Sequence, residues 1–335
     1  MGVRTIPELF ADKVKEQGTR LLFQRRDGWS WKQITWLDFD REVKNIASYL
    51  MDIGFHTGDK AVIASSNNLD AIATEIAIFQ LGAAIVPLPQ ESTSDEIINA
   101  ANKLGSKIVF VEDENLLDDM VQKENELTSA EKIVFFSDIR IKHEKIINFK
   151  LVLKSGLMKR KKLHDDLQQA SSEVSPDNIA ALFIDSQGDI TAQVNQGVFM
   201  DILSEASEKY SQIGIEDQSF SYMTKASPFA KIINYLTFFL GTRAAVAESR
   251  KDFYVDILEV MPTILFETKD GLEAIYEKSM SDLNGSSREE KIRHDLGDRI
   301  KYIFTDVLPK KEVQTLLKGS GISFLEVPEL NGLAD

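Results

Sequence analysis

The sequence has no cysteine among its 335 residues. This excludes disulfide cross-links, thiolate–metal sites and a cysteine nucleophile, and it fits a reducing compartment. Cations are scarce too: 39 Lys and Arg stand against 53 Asp and Glu, a net charge of −14 at pH 7. Sequence-independent binding of DNA or RNA needs cations to neutralise phosphates, so no nucleic-acid partner is expected. The four histidines, His56, His143, His164 and His294, lie far apart without the His-x-x-x-His spacing of a helical metal site. No metal and no catalytic histidine is expected. No serine has a Gly-x-Ser-x-Gly context, which leaves a hydrolase unsupported. Long apolar runs are missing as well. The most apolar stretch, 71–88, is interrupted by Glu75, Gln80 and Pro87 and reads as a buried helix and strand. A membrane span needs about 20 apolar residues, so none is expected. Residues 1–6 lack a signal-peptide core, and Ile6 occupies the Ser/Thr position of a myristoylation motif. The expected location is cytoplasmic.

What is present is the composition of a globular protein with a large core, 43% hydrophobic and 27% charged. Thr5-Ile6-Pro7-Glu8 has capping-box spacing and opens a helix through Leu9, Phe10 and Val14. Thr35 opens another, whose Phe39, Val43, Ile46, Ala47 and Leu50 share one face. Apolar strand-like runs follow at 60–65, 83–88 and 107–111, separated by helices over 69–81 and after Thr93-Ser94-Asp95-Glu96. Continuously apolar strands alternating with helices predict an α/β fold, in which mostly parallel sheets are flanked by helices. The pattern loosens from about 113, with a strand-like run at 133–136 and a basic cluster, Lys159-Arg160-Lys161-Lys162. A second series starts at Asn178, with apolar runs at 179–184, 244–247, 262–266, 300–304 and 322–327. Two α/β subdomains are expected, over 1–175 and 176–335.

Several segments resemble the adenylate-forming (AMP-binding) superfamily, specifically the N-terminal domain of long-chain acyl-CoA synthetases. They are Thr5-Ile6-Pro7-Glu8-Leu9-Phe10, Ile34-Thr35-Trp36, Gly58-Asp59-Lys60-Ala61-Val62-Ile63, Gly82-Ala83-Ala84-Ile85-Val86-Pro87 and Lys107-Ile108-Val109-Phe110-Val111-Glu112-Asp113. The likeness continues through 178–183, 241–244, 260–263 and 322–326. It implies a two-lobed α/β domain and a family chemistry in which ATP activates a carboxylate as an acyl-adenylate before transfer to a thiol such as coenzyme A.

The motifs that would carry this chemistry are altered. The resemblance places the phosphate loop at Asp185, Ser186, Gln187, Gly188 and Asp189, with no lysine and two acids. Two like charges about 5 Å apart cost roughly 3 kcal/mol at an effective dielectric near 20, which works against a bound triphosphate. Ser227 stands where the family has a histidine. Asp306 and Val307 stand where glycines admit the purine, Pro328 where a ring stacks, and Gly332 where a carboxylate would hold magnesium. Relative to the family the second subdomain reads as truncated at Asp335, with the mobile C-terminal domain absent. The expectation is therefore a non-catalytic homologue with no catalytic residue and no cofactor, serving as a binding protein for an acyl ligand, an acyl carrier or a protein partner such as an active relative. The alternative is a divergent or split fatty-acid–CoA ligase completed by another chain, and only this alternative calls for ATP, Mg and CoA.

Phe229, Tyr235, Phe238 and Phe239 fall where relatives bind an acyl chain, but their spacing suits ordinary core better. The 186–189 segment reads as a strand-to-helix turn with a local Asp cap rather than an anion site. The basic cluster has the charge to touch anionic lipid or an acidic partner, but followed by Leu163-His164-Asp165-Asp166 it reads rather as a solvated loop or helix making local ion pairs.

Overall fold

The computed structural model describes residues 4–66, 68–221, 228–247, 252–281, 283, 285–305 and 307–326, the side chains of 221, 228–230 and 326 excepted. Helix α1 (Ile6–Gln17) starts where the sequence predicts, with the Thr5 side chain accepting from the Glu8 N–H. A hairpin follows, β1 (Leu21–Asp27) and β2 (Ser30–Thr35), which the hydrophobic pattern does not announce. Helix α2 (Trp36–Asp52) opens on a capping box between Thr35 and Asp38. The alternating series is then β3 (Lys60–Ala64), α3 (Leu69–Gln80), β4 (Ala84–Leu88), α4 (Ser94–Leu104), β5 (Ile108–Val111), α5 (Leu117–Gln122), β6 (Lys132–Phe135) and β7 (Ile146–Asn148). Helix α4 has its own capping box, Thr93 with Glu96. Helices α6 (Phe149–Lys159) and α7 (His164–Ser172) lead to a second hairpin, β8 (Ile179–Ile184) and β9 (Ile190–Asn195), and to α8 (Gln196–Lys209). The remainder is β10 (Gln218–Ser221), α9 (Pro228–Leu240), β11 (Arg243–Val246), α10 (Phe253–Val260), β12 (Ile264–Phe266), α11 (Lys269–Ser281), α12 (Arg288–Asp295), β13 (Tyr302–Thr305), α13 (Lys311–Gly319) and β14 (Ser323–Glu326).

The strands form two seven-stranded sheets, ordered β14-β13-β12-β10-β11-β1-β2 and β7-β6-β5-β3-β4-β8-β9. Pairing is parallel throughout, except that each sheet ends in one antiparallel hairpin, β1–β2 or β8–β9. Residue 175 lies between α7 and β8, yet each sheet takes strands from both sides of that position. β1–β2 joins the late strands through β11, and β8–β9 joins the early strands through β4.

Two-residue alternation along the strands sorts side chains into layers. In the β3 sheet, Ala61, Ile63, Ile85 and Phe110 face the main core, whereas Val62, Ala64, Val86 and Val111 face a second cluster with Ile97 and Ala101 of α4. In the other sheet Ala244, Ile264, Phe266 and Phe304 face the main core. Ala245, Leu265 and Ile303 turn to a third cluster with Ile257, Leu272, Ile292 and Val313 of α10–α13. Helices α1, α2, α3, α6, α7, α8 and α9 also contribute side chains to the main core. Both sheets are covered on both faces, as their continuously apolar strands require. Helix α6 lies tight against α2: a Cβ at Gly156 would sit 1.7 Å from the Asn45 carbonyl oxygen, so this approach requires glycine.

Candidate functional site

The phosphate-loop positions form the tip of the β8–β9 hairpin. The predicted strand-to-helix turn is therefore corrected: β9 intervenes before α8. The polar sequence of β9 and its mostly exposed edge position hide it from hydrophobic-pattern reading. The tip is held by its own atoms. The Asp185 N–H donates to the Asp189 carbonyl (3.0 Å), and the Gly188 N–H donates to the Asp185 carbonyl (3.0 Å). Asp185 Oδ1 accepts from the backbone N–H groups of Gln187 (2.8 Å) and Asp189 (2.9 Å). Gly188 is buried with φ +77°, a conformation that favours glycine, and a Cβ there would stand 3.0 Å from Asn99 Nδ2. Asp185, Ser186, Gln187 and Asp189 are exposed.

Backbone N–H groups converging on one point form an anion nest. Here the anion is the protein's own carboxylate. The loop has no lysine in sequence, but the fold supplies one in space: Lys103 Nζ of α4 donates to Asp189 Oδ1 (2.7 Å) and to the Gln187 carbonyl (3.2 Å). Asn99 Nδ2, one turn earlier on the same helix, reaches the same carbonyl at 3.2 Å. Sequence reasoning missed both residues, since nothing local links α4 to a turn more than 80 positions later.

Of the other nucleotide-side positions, Val307 follows β13 and is exposed, and its carbonyl accepts from the Thr305 hydroxyl (2.9 Å). Ser227, Asp306, Pro328 and Gly332 lie outside the described residues.

The aromatic positions sit on α9. Phe229 lies in its first turn, and its side chain is outside the described residues. Phe238 is fully buried among Phe10, Phe23, Trp36 and Phe39, with ring centroids 5.4–6.1 Å away. Phe239 is half-buried against the same core. Tyr235 is fully buried beside Phe79 and Phe199. Its hydroxyl donates to Glu75 Oε2 of α3 at 2.9 Å, and Lys231 Nζ, one turn earlier on α9, donates to Glu75 Oε1. Burial pushes the Tyr235 phenol well above its ordinary range, and the Glu75 charge adds to that. Tyr235 and Phe238 are thus core residues, as their spacing suggests. The signal for the missed pair was available: Glu75 is the one fully buried acid of an apolar helix and Lys231 the one cation of another. Buried charges need partners.

Away from these positions, a cleft of about 500 Å³ opens beside β6 and β7, lined by Glu124, Glu131, Lys132, His143, Glu144 and Lys145. His143 Nδ1 accepts from the N–H groups of Lys145 (3.1 Å) and Ile146 (3.3 Å). Its proton therefore sits on Nε2, 3.2 Å from Glu124. Among the described residues, no group of three or more His, Asp or Glu side chains is placed to hold a metal ion, and no helix is long and apolar enough to cross a membrane. The basic cluster also departs from expectation. Lys159 pairs with Asp52 (2.9 Å) rather than with Asp165 or Asp166, and Arg160, Lys161 and Lys162 make no ion pair among the described residues.

Comparison with known proteins bears on the fold. A family profile described as AMP-binding enzyme matches residues 10–183, more than half of the chain. Naringenin synthase from Pestalotiopsis fici is 26% identical over 112 residues, which make up 33% of this chain and 4% of that protein. The matched part is thus a small fraction of that relative's length. Coronafacic acid ligase from Pectobacterium brasiliense superposes with a TM-score of 0.75 at 16% identity, covering 96% of this chain and 60% of that one. A Rhodopseudomonas palustris protein described as a long-chain-fatty-acid CoA ligase gives 0.72 at 15% identity, covering 96% and 74%. At these identities the likeness speaks to fold. Together with the profile match it settles the family: the chain belongs to the AMP-binding enzyme family and has the fold of its acyl-CoA ligase-like N-terminal domains.

Proposed function

We propose that this chain is a non-catalytic acyl-CoA-ligase-like protein that binds an acyl ligand or carrier, or a protein partner, without activating a carboxylate by ATP. One observation supports the reading: Asp185 Oδ1 occupies the N–H groups of Gln187 and Asp189 at the tip to which the sequence resemblance assigns the phosphate loop. A triphosphate approaching the tip would meet that carboxylate and have to displace it. At about 4 Å and an effective dielectric near 20, each unit-charge repulsion costs roughly 4 kcal/mol. Lys103 does not reverse this, since its ammonium is engaged by Asp189. The surrounding scaffold supports a role for the fold itself, because the capping boxes, the covered sheets and the buried Glu75–Lys231 pair are all intact.

ATP–pyrophosphate exchange on the purified chain, run with a panel of fatty acids, tests the proposal. No carboxylate-dependent exchange is expected, while thermal shift with acyl ligands or acyl carriers should raise the melting temperature in a concentration-dependent way. Carboxylate-dependent exchange by the chain alone would overturn the reading in favour of a divergent ligase.

A further inference from the structure

Helix α6 carries a surface that neither the fold nor the Asp185 tip uses. Its inner face, Phe149, Val152 and Gly156, packs toward α2. On its outer face Leu151, Leu157 and Met158 are 50%, 55% and 75% exposed, unusual for three large apolar side chains on one short helix. Lys154 lies between them at helical spacing, and Lys161 and Lys162 extend the same side just beyond the helix end. The neighbouring Lys150 and Lys159 are neutralised by Asp138 (2.6 Å) and Asp52 (2.9 Å). Lys154, Lys161 and Lys162 have no acidic partner among the described residues. In a chain of net charge −14, this is a local cationic and apolar face with its charge left open.

We propose that this α6 face docks on a lipid surface carrying anionic headgroups. The chemistry is that of an interfacial helix: leucine and methionine tips enter the acyl boundary while lysines meet the headgroups. Charge complementarity selects an anionic surface over a neutral one. Shape favours a fluid surface over a folded partner, because the apolar side chains project from the outer face of one helix. The inference goes beyond the proposed acyl-binding role and does not depend on it.

Co-sedimentation of the full chain with phosphatidylcholine vesicles, and with phosphatidylcholine vesicles containing phosphatidylserine, tests it. Binding is expected to the anionic vesicles only and should weaken as salt rises. The exposed double variants Lys161→Glu/Lys162→Glu and Leu157→Ser/Met158→Ser should each weaken it by about tenfold or more. Their melting temperatures serve as a folding control. Absence of binding to anionic vesicles, equal binding to neutral ones, or binding that survives either double variant overturns the proposal. A salt-sensitive dimer lost in Lys161→Glu/Lys162→Glu, without vesicle binding, would also overturn it and assign the face to a second copy of the chain.

Discussion

The β8–β9 turn and helix α9 each hold a carboxylate with converging donors, and the two arrangements do different things. Asp185 is exposed and takes backbone N–H groups two and four residues along its own turn. Glu75 is fully buried and takes an ammonium and a phenol from α9, 156 and 160 positions away. Water competes for every donor at the turn, so that network contributes little net stability, and its main effect is chemical: the N–H groups are already filled. No water competes in the core, where a lone charge would be costly, so the Glu75 network matters mainly for stability. The turn expected to face nucleotide is therefore held cheaply at the surface. The region expected to contact an acyl chain is fixed by a polar clasp that joins α3 to α9.

Removing one partner of the clasp should produce the largest effect. Lys231→Ala or Glu75→Ala leaves an uncompensated buried charge and is expected to cost about 3–5 kcal/mol in urea unfolding. The double variant Glu75→Leu/Lys231→Met should be clearly more stable than either single change, because it removes both charges and restores apolar contact. A double variant no better than the singles would mean that the two residues act independently. Tyr235→Phe, which removes only the hydroxyl donor to Glu75, should cost about 1–3 kcal/mol.

Glu42 is a middle case between the two carboxylates. It is half-buried on α2, and its carboxyl is pushed up to about 7, first by burial and then by the charge of Asp70, with Arg25 opposing. Its folded pKa exceeds the ordinary 4.5, so the folded state binds the proton more tightly. The stability it contributes is fully present below pH 4.5 and is lost as the pH rises to about 7. Glu42→Gln should therefore flatten this decline and make the protein more stable than wild type above neutrality, by on the order of 1–2 kcal/mol. Paired melts in acidic and mildly alkaline buffer would show it, and an unchanged pH slope would remove Glu42 from the comparison.

The smallest effects belong to the turn. Gly188→Ala meets a positive φ and the Asn99 amide, and is expected to cost about 1 kcal/mol. Asp185→Asn keeps one acceptor for the two N–H groups and should change stability by less than about 1 kcal/mol. A larger loss would mean that the turn is structural in the same sense as the clasp.

Much of the scaffold was legible because its signals are local. Thr35 with Asp38 and Thr93 with Glu96 sit three residues apart and start helices where their spacing indicates. Apolar strands such as Ile108–Val111 announce burial on both faces. The hairpin strands were harder to see, since both lie at sheet edges, where half-exposed polar residues break the pattern. At the turn, the two acids and the absence of a lysine could be read from the motif, while the approach of Lys103 from α4 could not.

The sequence by itself determined the α/β class, the helix starts and the buried strands, because these depend on residues within a few positions of one another. Only the tertiary structure decided that β1–β2 and β8–β9 trade places between sheets, that Lys103 reaches the Asp185 turn, that Glu75 meets Lys231, and that Lys159 pairs with Asp52 while Lys154, Lys161 and Lys162 make no ion pair among the described residues. Each of these is set by contacts between distant segments, and such contacts follow from how whole layers pack rather than from any spacing along the chain.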